Sequence, residues 1–185
     1  MKALAALLML PIGATSSAGL FPSPVSDVDA AQRVQLAWGV KIPLRDGVRL
    51  NATVYTPREQ QSPAPCIFTL TPYIGQAYHA RGIYFASHGL PFLTVDVRGR
   101  GNSEGEFKPF IQEAKDGYDV VEWLAKQPYC NGKVAMWGGS YAGYDQWVTA
   151  KEFPPHLATI VPAASAFIGL DFPMEGNVFA PYDMA

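Results

Sequence analysis

The run Val134-Ala135-Met136-Trp137-Gly138-Gly139-Ser140-Tyr141-Ala142-Gly143 constrains this chain more than any other segment. Its four apolar residues suit a strand buried in a sheet. Two glycines and a serine then break the strand, and a helical pattern follows from Tyr141 to Phe153, ended by Pro154-Pro155. A chain that passes so abruptly from strand to helix holds the turn residue in a strained backbone conformation, with its side chain raised above the sheet. The residues two before and two after it must be small, and Gly138 and Ala142 are.

Two chemistries use such a turn. One cradles a phosphate on backbone N–H groups at the helix start. Its dinucleotide form needs G-x-G-x-x-G and an acidic residue about 20 positions on. Here Ser140 occupies the second glycine's place and Ala158 stands where the acid belongs; the P-loop form lacks its Gly-Lys-Ser/Thr. The other chemistry is the nucleophile elbow of an α/β-hydrolase, in which the serine hydroxyl attacks a carbonyl carbon. Strand, turn and helix all agree with the second, so Ser140 is the candidate nucleophile.

The remaining chain supports that fold. Val34 to Ile42 and Leu50 to Tyr55 alternate apolar and polar residues around Arg45-Asp46-Gly47, which predicts an antiparallel hairpin. Continuous apolar runs at Cys66 to Leu70, Phe92 to Val97, Val134 to Trp137 and Thr159 to Val161 predict strands buried on both faces. Helical patterns lie between them. Ala77 to Ser87 is weakened by Gly82, and Gln112 to Lys126 places Tyr118, Val121, Leu124 and Ala125 on one face with its charges on the other. This alternation predicts an α/β fold: a mostly parallel sheet with helices on both faces and two antiparallel strands leading at one edge.

A chain of 185 residues with 49% apolar content can bury one core. A net charge of −2 with scattered basic residues argues against a nucleic-acid partner. Lys2, the apolar stretch Ala3 to Ile12 and small residues up to Ala18 match an export signal, residues 1–18, with cleavage after Ala18. The apolar stretch is short of the ~20 residues that span a bilayer, so no stable membrane anchor is expected, and the protein is expected to be periplasmic or extracellular. Residues 19–33 read as a flexible lead-in, and 34–185 as the nucleophile half of a hydrolase domain. Cys66 and Cys130 fall near the same end of neighbouring strands. Export would permit a bridge, but two buried free thiols are the preferred reading.

Other residues are weighed against plainer roles. Tyr73 follows the strand that faces the elbow, where its hydroxyl could donate to a developing oxyanion, with the Tyr141 backbone N–H as second donor. Spacing alone equally permits a packed aromatic. Asp96 to Gly105, with three glycines, reads as a structural turn tied down by Asp96 and Arg98. His79, His88 and His156 lack metal-ligand spacing. His156 lies past the elbow helix, on the side away from the strand ends, so it does not suit a catalytic base. Asp171 and Asp183 follow the serine, but no histidine follows His156, which leaves them as loop carboxylates.

Ile42 to Leu50, Thr71-Pro72-Tyr73, Asp96 to Gly105, Asp116-Gly117-Tyr118-Asp119, Gln127 to Val134 and Gly138 to Gly143, taken in that order, resemble the cocaine esterase and Xaa-Pro dipeptidyl-peptidase-like (CocE/NonD) hydrolases. The resemblance runs from about Val34 to the last residues. It implies Ser140 as nucleophile, with the Tyr73 hydroxyl and Tyr141 N–H as oxyanion donors, and no cofactor or metal. The implied substrate is a small-molecule or peptide acyl compound: an ester, a cephalosporin-type amide or an Xaa-Pro peptide. Family members carry their Asp and His beyond a helical cap, followed by a β-sandwich. The segment Asp171 to Asn177 is similar to the entry into that cap. The chain is therefore expected to be truncated before the cap and the last strands, nearly inert alone and poorly soluble. Two alternatives stand beside this reading. One is an α-amino-acid ester hydrolase or aminopeptidase, whose carboxylate cluster is not evident here; the other is a non-catalytic remnant or a subunit completed by another chain.

Overall fold

The computed structural model describes residues 27–166 and two short strands, Met174–Glu175 and Val178–Phe179. The expected export signal, the lead-in up to residue 26, and Asp171 and Asp183 lie outside the described residues. After a short helix α1 (Asp27–Gln32) the order is β1 (Val34–Pro43), β2 (Arg49–Pro57), β3 (Ala64–Thr71), α2 (His79–Ser87), β4 (Phe92–Asp96), α3 (Glu113–Leu124), β5 (Cys130–Gly139), α4 (Tyr141–Lys151) and β6 (Leu157–Ala163). The 174–179 strands pair as a small antiparallel hairpin. Helix α1 lies within the segment 19–33 expected as a lead-in. Arg58 stabilises that helix's end, its Nε donating to Gln32 O at 2.9 Å and its Nη2 to Val34 O at 3.1 Å.

The strands form one sheet in the order β1-β2-β4-β3-β5-β6. β1, β2 and β4 pair antiparallel, while β4, β3, β5 and β6 run parallel. The leading hairpin closes at Arg45-Asp46-Gly47. Gly47 adopts φ +89°, and Val48 N donates to Asp46 Oδ1 at 3.2 Å.

Side chains alternate across a pleated sheet, so each strand feeds two cores. Leu50, Ala52, Val54, Phe68, Leu70, Leu93, Val95, Val134 and Met136 pack with Val120, Val121 and Leu124 of α3. On the other face Tyr55, Phe92, Ile67 and Trp137 pack with Ala86, Ile83 and Phe85 of α2. Helices therefore lie on both faces, as the alternation of elements predicts. Gly82, which weakens α2 as a sequence pattern, has a packing reason: a Cβ there would lie 2.7 Å from the Tyr55 ring.

One expectation about α3 is overturned. Its buried stripe is Glu113, Asp116, Gly117, Val120, Val121 and Leu124, so two carboxylates point inward, while Tyr118 is only half-buried beneath the Arg45 guanidinium. Burying a charge is tolerated where a partner is supplied. Arg98 gives Asp116 two bonds, Nη2 to Oδ1 at 2.7 Å and Nε to Oδ2 at 3.0 Å, and reaches Asp46 at 2.6 Å. Cys66 and Cys130 are free and buried, and burial pushes the Cys66 thiol well above its ordinary range.

Candidate active site

Parallel strands bring their carboxyl ends to one rim, where α/β proteins place ligands. Thr71 pairs with Asp96, and Gly139 with Ala163, so β3, β4, β5 and β6 all end there. Ser140 leaves β5 at this rim with φ +55° and ψ −123°. A non-glycine residue in that region costs of order 1–3 kcal/mol and persists only when its surroundings fix it. Here Ser140 N donates to Ala163 O at 2.9 Å, while its own carbonyl accepts from Gly143 N at 2.9 Å and Tyr144 N at 3.1 Å. A Cβ on Gly138 would approach the Ala142 Cβ to 2.8 Å, which is why both positions flanking the serine must be small. The Ser140 side chain is exposed at the top of this bend.

The structure brings together the three residues singled out in the sequence. Tyr73 Oη lies 3.0 Å from Ser140 Oγ and accepts the Tyr141 N–H at 3.3 Å. Ser140 Oγ, Tyr73 Oη and Tyr141 N thus converge on one small space. α4 begins at Tyr141, so the positive end of its dipole faces the same space. An oxygen gaining negative charge beside Ser140 Oγ would meet a phenolic O–H and a helix-start N–H.

Tyr73 owes its place to the turn after β3. Tyr73 N donates to Thr71 Oγ1 at 3.0 Å, Ile74 takes φ +51°, and Gly75 N donates to Asp96 Oδ1 at 2.9 Å. Asp96 also accepts from Asn51 Nδ2 at 3.2 Å, and its carbonyl accepts from Ser103 Oγ at 2.7 Å. Arg98 and Asp96 therefore tie down the glycine-rich loop, and Asp96 also fixes the arm that carries Tyr73.

Histidines are committed elsewhere. His156 Nδ1 lies 2.8 Å from Glu122 Oε2, at the opposite end of β6 from the rim. His79 pairs with the Tyr55 hydroxyl, and His88 with Tyr84 O. Among the described residues, no group of three or more His, Cys, Asp or Glu could hold a metal. Nor is any helix among them long and apolar enough to cross a membrane.

Two carboxylates that sequence reasoning missed lie between α3 and α4. Glu113 accepts from the Tyr141 hydroxyl, from Phe110 N at 3.2 Å and from Gln112 N at 3.0 Å. Asp145 is fully buried, and neither of its oxygens has a partner among the described residues. Burial first, and the Glu113 charge second, push its carboxyl well above the usual carboxylate range. The signal for Glu113 was available: its spacing of three, four, seven and eight to Asp116, Gly117, Val120 and Val121 extends the buried stripe backwards. Asp145 has no such signal.

A family model described as X-Pro dipeptidyl-peptidase (S15 family) matches residues 46–181. Cocaine esterase of a Rhodococcus species is 32% identical over 137 residues, covering 71% of this chain and 24% of that protein. An aminopeptidase from a marine-sediment Thaumarchaeota archaeon superposes with a TM-score of 0.66 at 28% identity, covering 84% of this chain and 30% of that one. An α-amino acid ester hydrolase superposes at 0.68 and 25% identity, covering 89% and 30%. The chain thus spans about a quarter to a third of the length of these relatives. With the α/β-hydrolase sheet in place and most of its length matched, the chain belongs to the X-Pro dipeptidyl-peptidase (S15) family of CocE/NonD-type hydrolases.

Proposed function

We propose that this chain carries the nucleophile and oxyanion half of a serine hydrolase that cleaves ester or amide bonds through an acyl-enzyme. Ser140 Oγ attacks the carbonyl carbon, and the oxygen that becomes negative is held by the Tyr73 hydroxyl and the Tyr141 N–H. The observation that carries this reading is an exposed serine at φ +55° with both donors converging on its hydroxyl. Cocaine esterase, an aminopeptidase and an α-amino acid ester hydrolase, all acyl-transfer enzymes by name, support the reaction class.

No imidazole among the described residues bonds to Ser140, and the sequence holds no histidine after His156. In this reading the general base and its acid come from polypeptide other than these 185 residues. The export signal expected at residues 1–18 would place the activity in the periplasm or outside the cell.

Hydrolysis of a p-nitrophenyl ester by the purified chain, with and without added imidazole, tests the proposal. The chain alone gives no Ser140-dependent burst, because a serine hydroxyl without a base is a weak nucleophile. Imidazole then restores nitrophenol release above that of Ser140→Ala at the same imidazole concentration. Equal release by parent and variant would sink the nucleophile assignment. A stoichiometric burst without imidazole would show that the chain supplies its own base.

A further inference from the structure

Glu113 is buried to 3% exposure at the start of α3. A carboxylate so placed would be costly without donors, and it has three. Two of them, Phe110 N and Gln112 N, cap the local chain, which is an ordinary duty at a helix start. The third is the Tyr141 hydroxyl, twenty-eight residues away and on the residue that follows the nucleophile. That hydroxyl donates to Glu113 Oε1 and in turn accepts from Phe110 N at 2.8 Å.

The consequence is local rigidity at the oxyanion donor. The Tyr141 ring stacks on Phe110 with centroids 4.5 Å apart and meets the Tyr73 ring edge-on at 6.5 Å. Fixing the ring at its tip and along its faces leaves one rotamer, which in turn fixes the backbone from which the ring springs. Phe110, whose N–H reaches both this phenol and Glu113, has φ +64°, and Ser140, next to Tyr141 in the chain, has φ +55°. Each needs external constraint to hold that conformation. Glu113 supplies part of it to Phe110 directly and bears on Ser140 only through Tyr141.

We infer that Glu113 is a positioning residue, which through the Tyr141 phenol and the Phe110 amide holds the Tyr141 N–H in the direction an oxyanion requires. The inference rests on the proposed roles of Ser140 and Tyr141 and adds a residue to them. Glu113 does not touch the substrate; it acts through Tyr141.

The test uses phenylboronic acid, whose boron accepts a serine oxygen and becomes tetrahedral, leaving a boron-bound oxygen in the place of the oxyanion. The 11B resonance of the purified chain reports this adduct, and Ser140→Ala abolishes it. Glu113→Gln and Tyr141→Phe each weaken binding by roughly tenfold, as loss of a positioning contact does. The double variant binds no more weakly than the weaker single one, because both remove the same link. Tyr141→Phe keeps both backbone bonds that cap α3, so it separates positioning from capping even where Glu113→Gln unfolds. Affinity within twofold of the parent in Tyr141→Phe, or losses that add in the double variant, would overturn the inference. If the parent gives no adduct even with added imidazole, the hydrolase reading fails, and amide hydrogen exchange then decides the role of Glu113. In that case Tyr141→Phe speeds exchange of the residue-141 amide by at least roughly tenfold relative to the amides at the end of α4 if Glu113 positions it. Unchanged protection means that it does not.

Discussion

Toward β3 and β4, Ser140 faces a wall whose polar groups are tied into hydrogen-bonded clusters. Asp96 holds Gly75 and Asn51, Arg98 holds Asp116 and Asp46, and Glu113 holds Phe110 and Tyr141. Toward β6 the molecule offers apolar surface instead. Val161 is 51% exposed, and Phe153, beside the groove between α4 and β6, is 86% exposed. The free edge of β6 has no neighbouring strand among the described residues. In the proposed reading the first wall supplies the oxyanion donors, fixed by hydrogen bonds within the chain. Among the described residues the second presents no imidazole to Ser140, and its edge is the kind of template on which strands pair. On the proposed function, the described residues thus assemble the group that would stabilise a developing charge and show none that would remove the serine's proton.

The largest expected effect is on the assembled wall. Asp116→Ala leaves the Arg98 guanidinium, 10% exposed, with Asp46 as its remaining carboxylate. Breaking such a buried pair costs about 3–5 kcal/mol. Urea unfolding should show a loss of that size, and a loss below 1 kcal/mol would mean that this cluster is not what holds this wall. Next comes Tyr73→Phe, which keeps the ring and removes one oxyanion donor. Imidazole-supported, Ser140-dependent ester cleavage should fall by about 10²-fold, the effect of one such donor. An unchanged rate would make Tyr73 a packed aromatic.

Asp145 gives an intermediate effect with a defined pH sign. Its folded carboxyl keeps the proton above the pH at which the unfolded chain loses it, near 3.9. Unfolding therefore releases a proton, and this group's stability contribution, complete below that pH, is lost as pH rises toward the folded value. As pH rises above about 3.9, the parent should lose up to about 1.4 kcal/mol per pH unit that Asp145→Asn does not lose. Parallel stability profiles for the two proteins would contradict a protonated Asp145. The smallest effect belongs to the open wall. Val161→Lys, at a half-exposed edge position, should change stability by less than about 0.5 kcal/mol. It should nonetheless reduce association measured by light scattering, since a charge on an edge strand opposes strand addition. An unaltered association profile would place the sticky surface elsewhere.

Much of the fold was legible because it rests on local patterns. The apolar runs at Cys66 to Leu70 and Phe92 to Val97 became central strands, and Asp46-Gly47 closed the hairpin. Helix α3 exposed a limit of that reading. Treating all its charges as one solvated face missed Glu113 and Asp116, although helical spacing puts both on the buried stripe; what that spacing does not show is their partners, Tyr141 and Arg98, 28 and 18 residues away in sequence. Helix α1 at Asp27–Gln32 was not legible for the same reason: Arg58, which holds its end, comes 26 residues after Gln32.

By itself the sequence determined the elbow. A buried strand, small residues at Gly138 and Ala142 and a helix start at Tyr141 leave a serine between them little freedom, since steric exclusion within ten residues narrows its conformation, which the bond from Ser140 N to Ala163 O then holds. Only the tertiary structure decided what stands around that serine. Tyr73 arrives from 67 residues away, and Glu113 from 28 residues before Tyr141. Hydrogen bonds of this kind depend on where strands and helices pack in space, and no local periodicity records that.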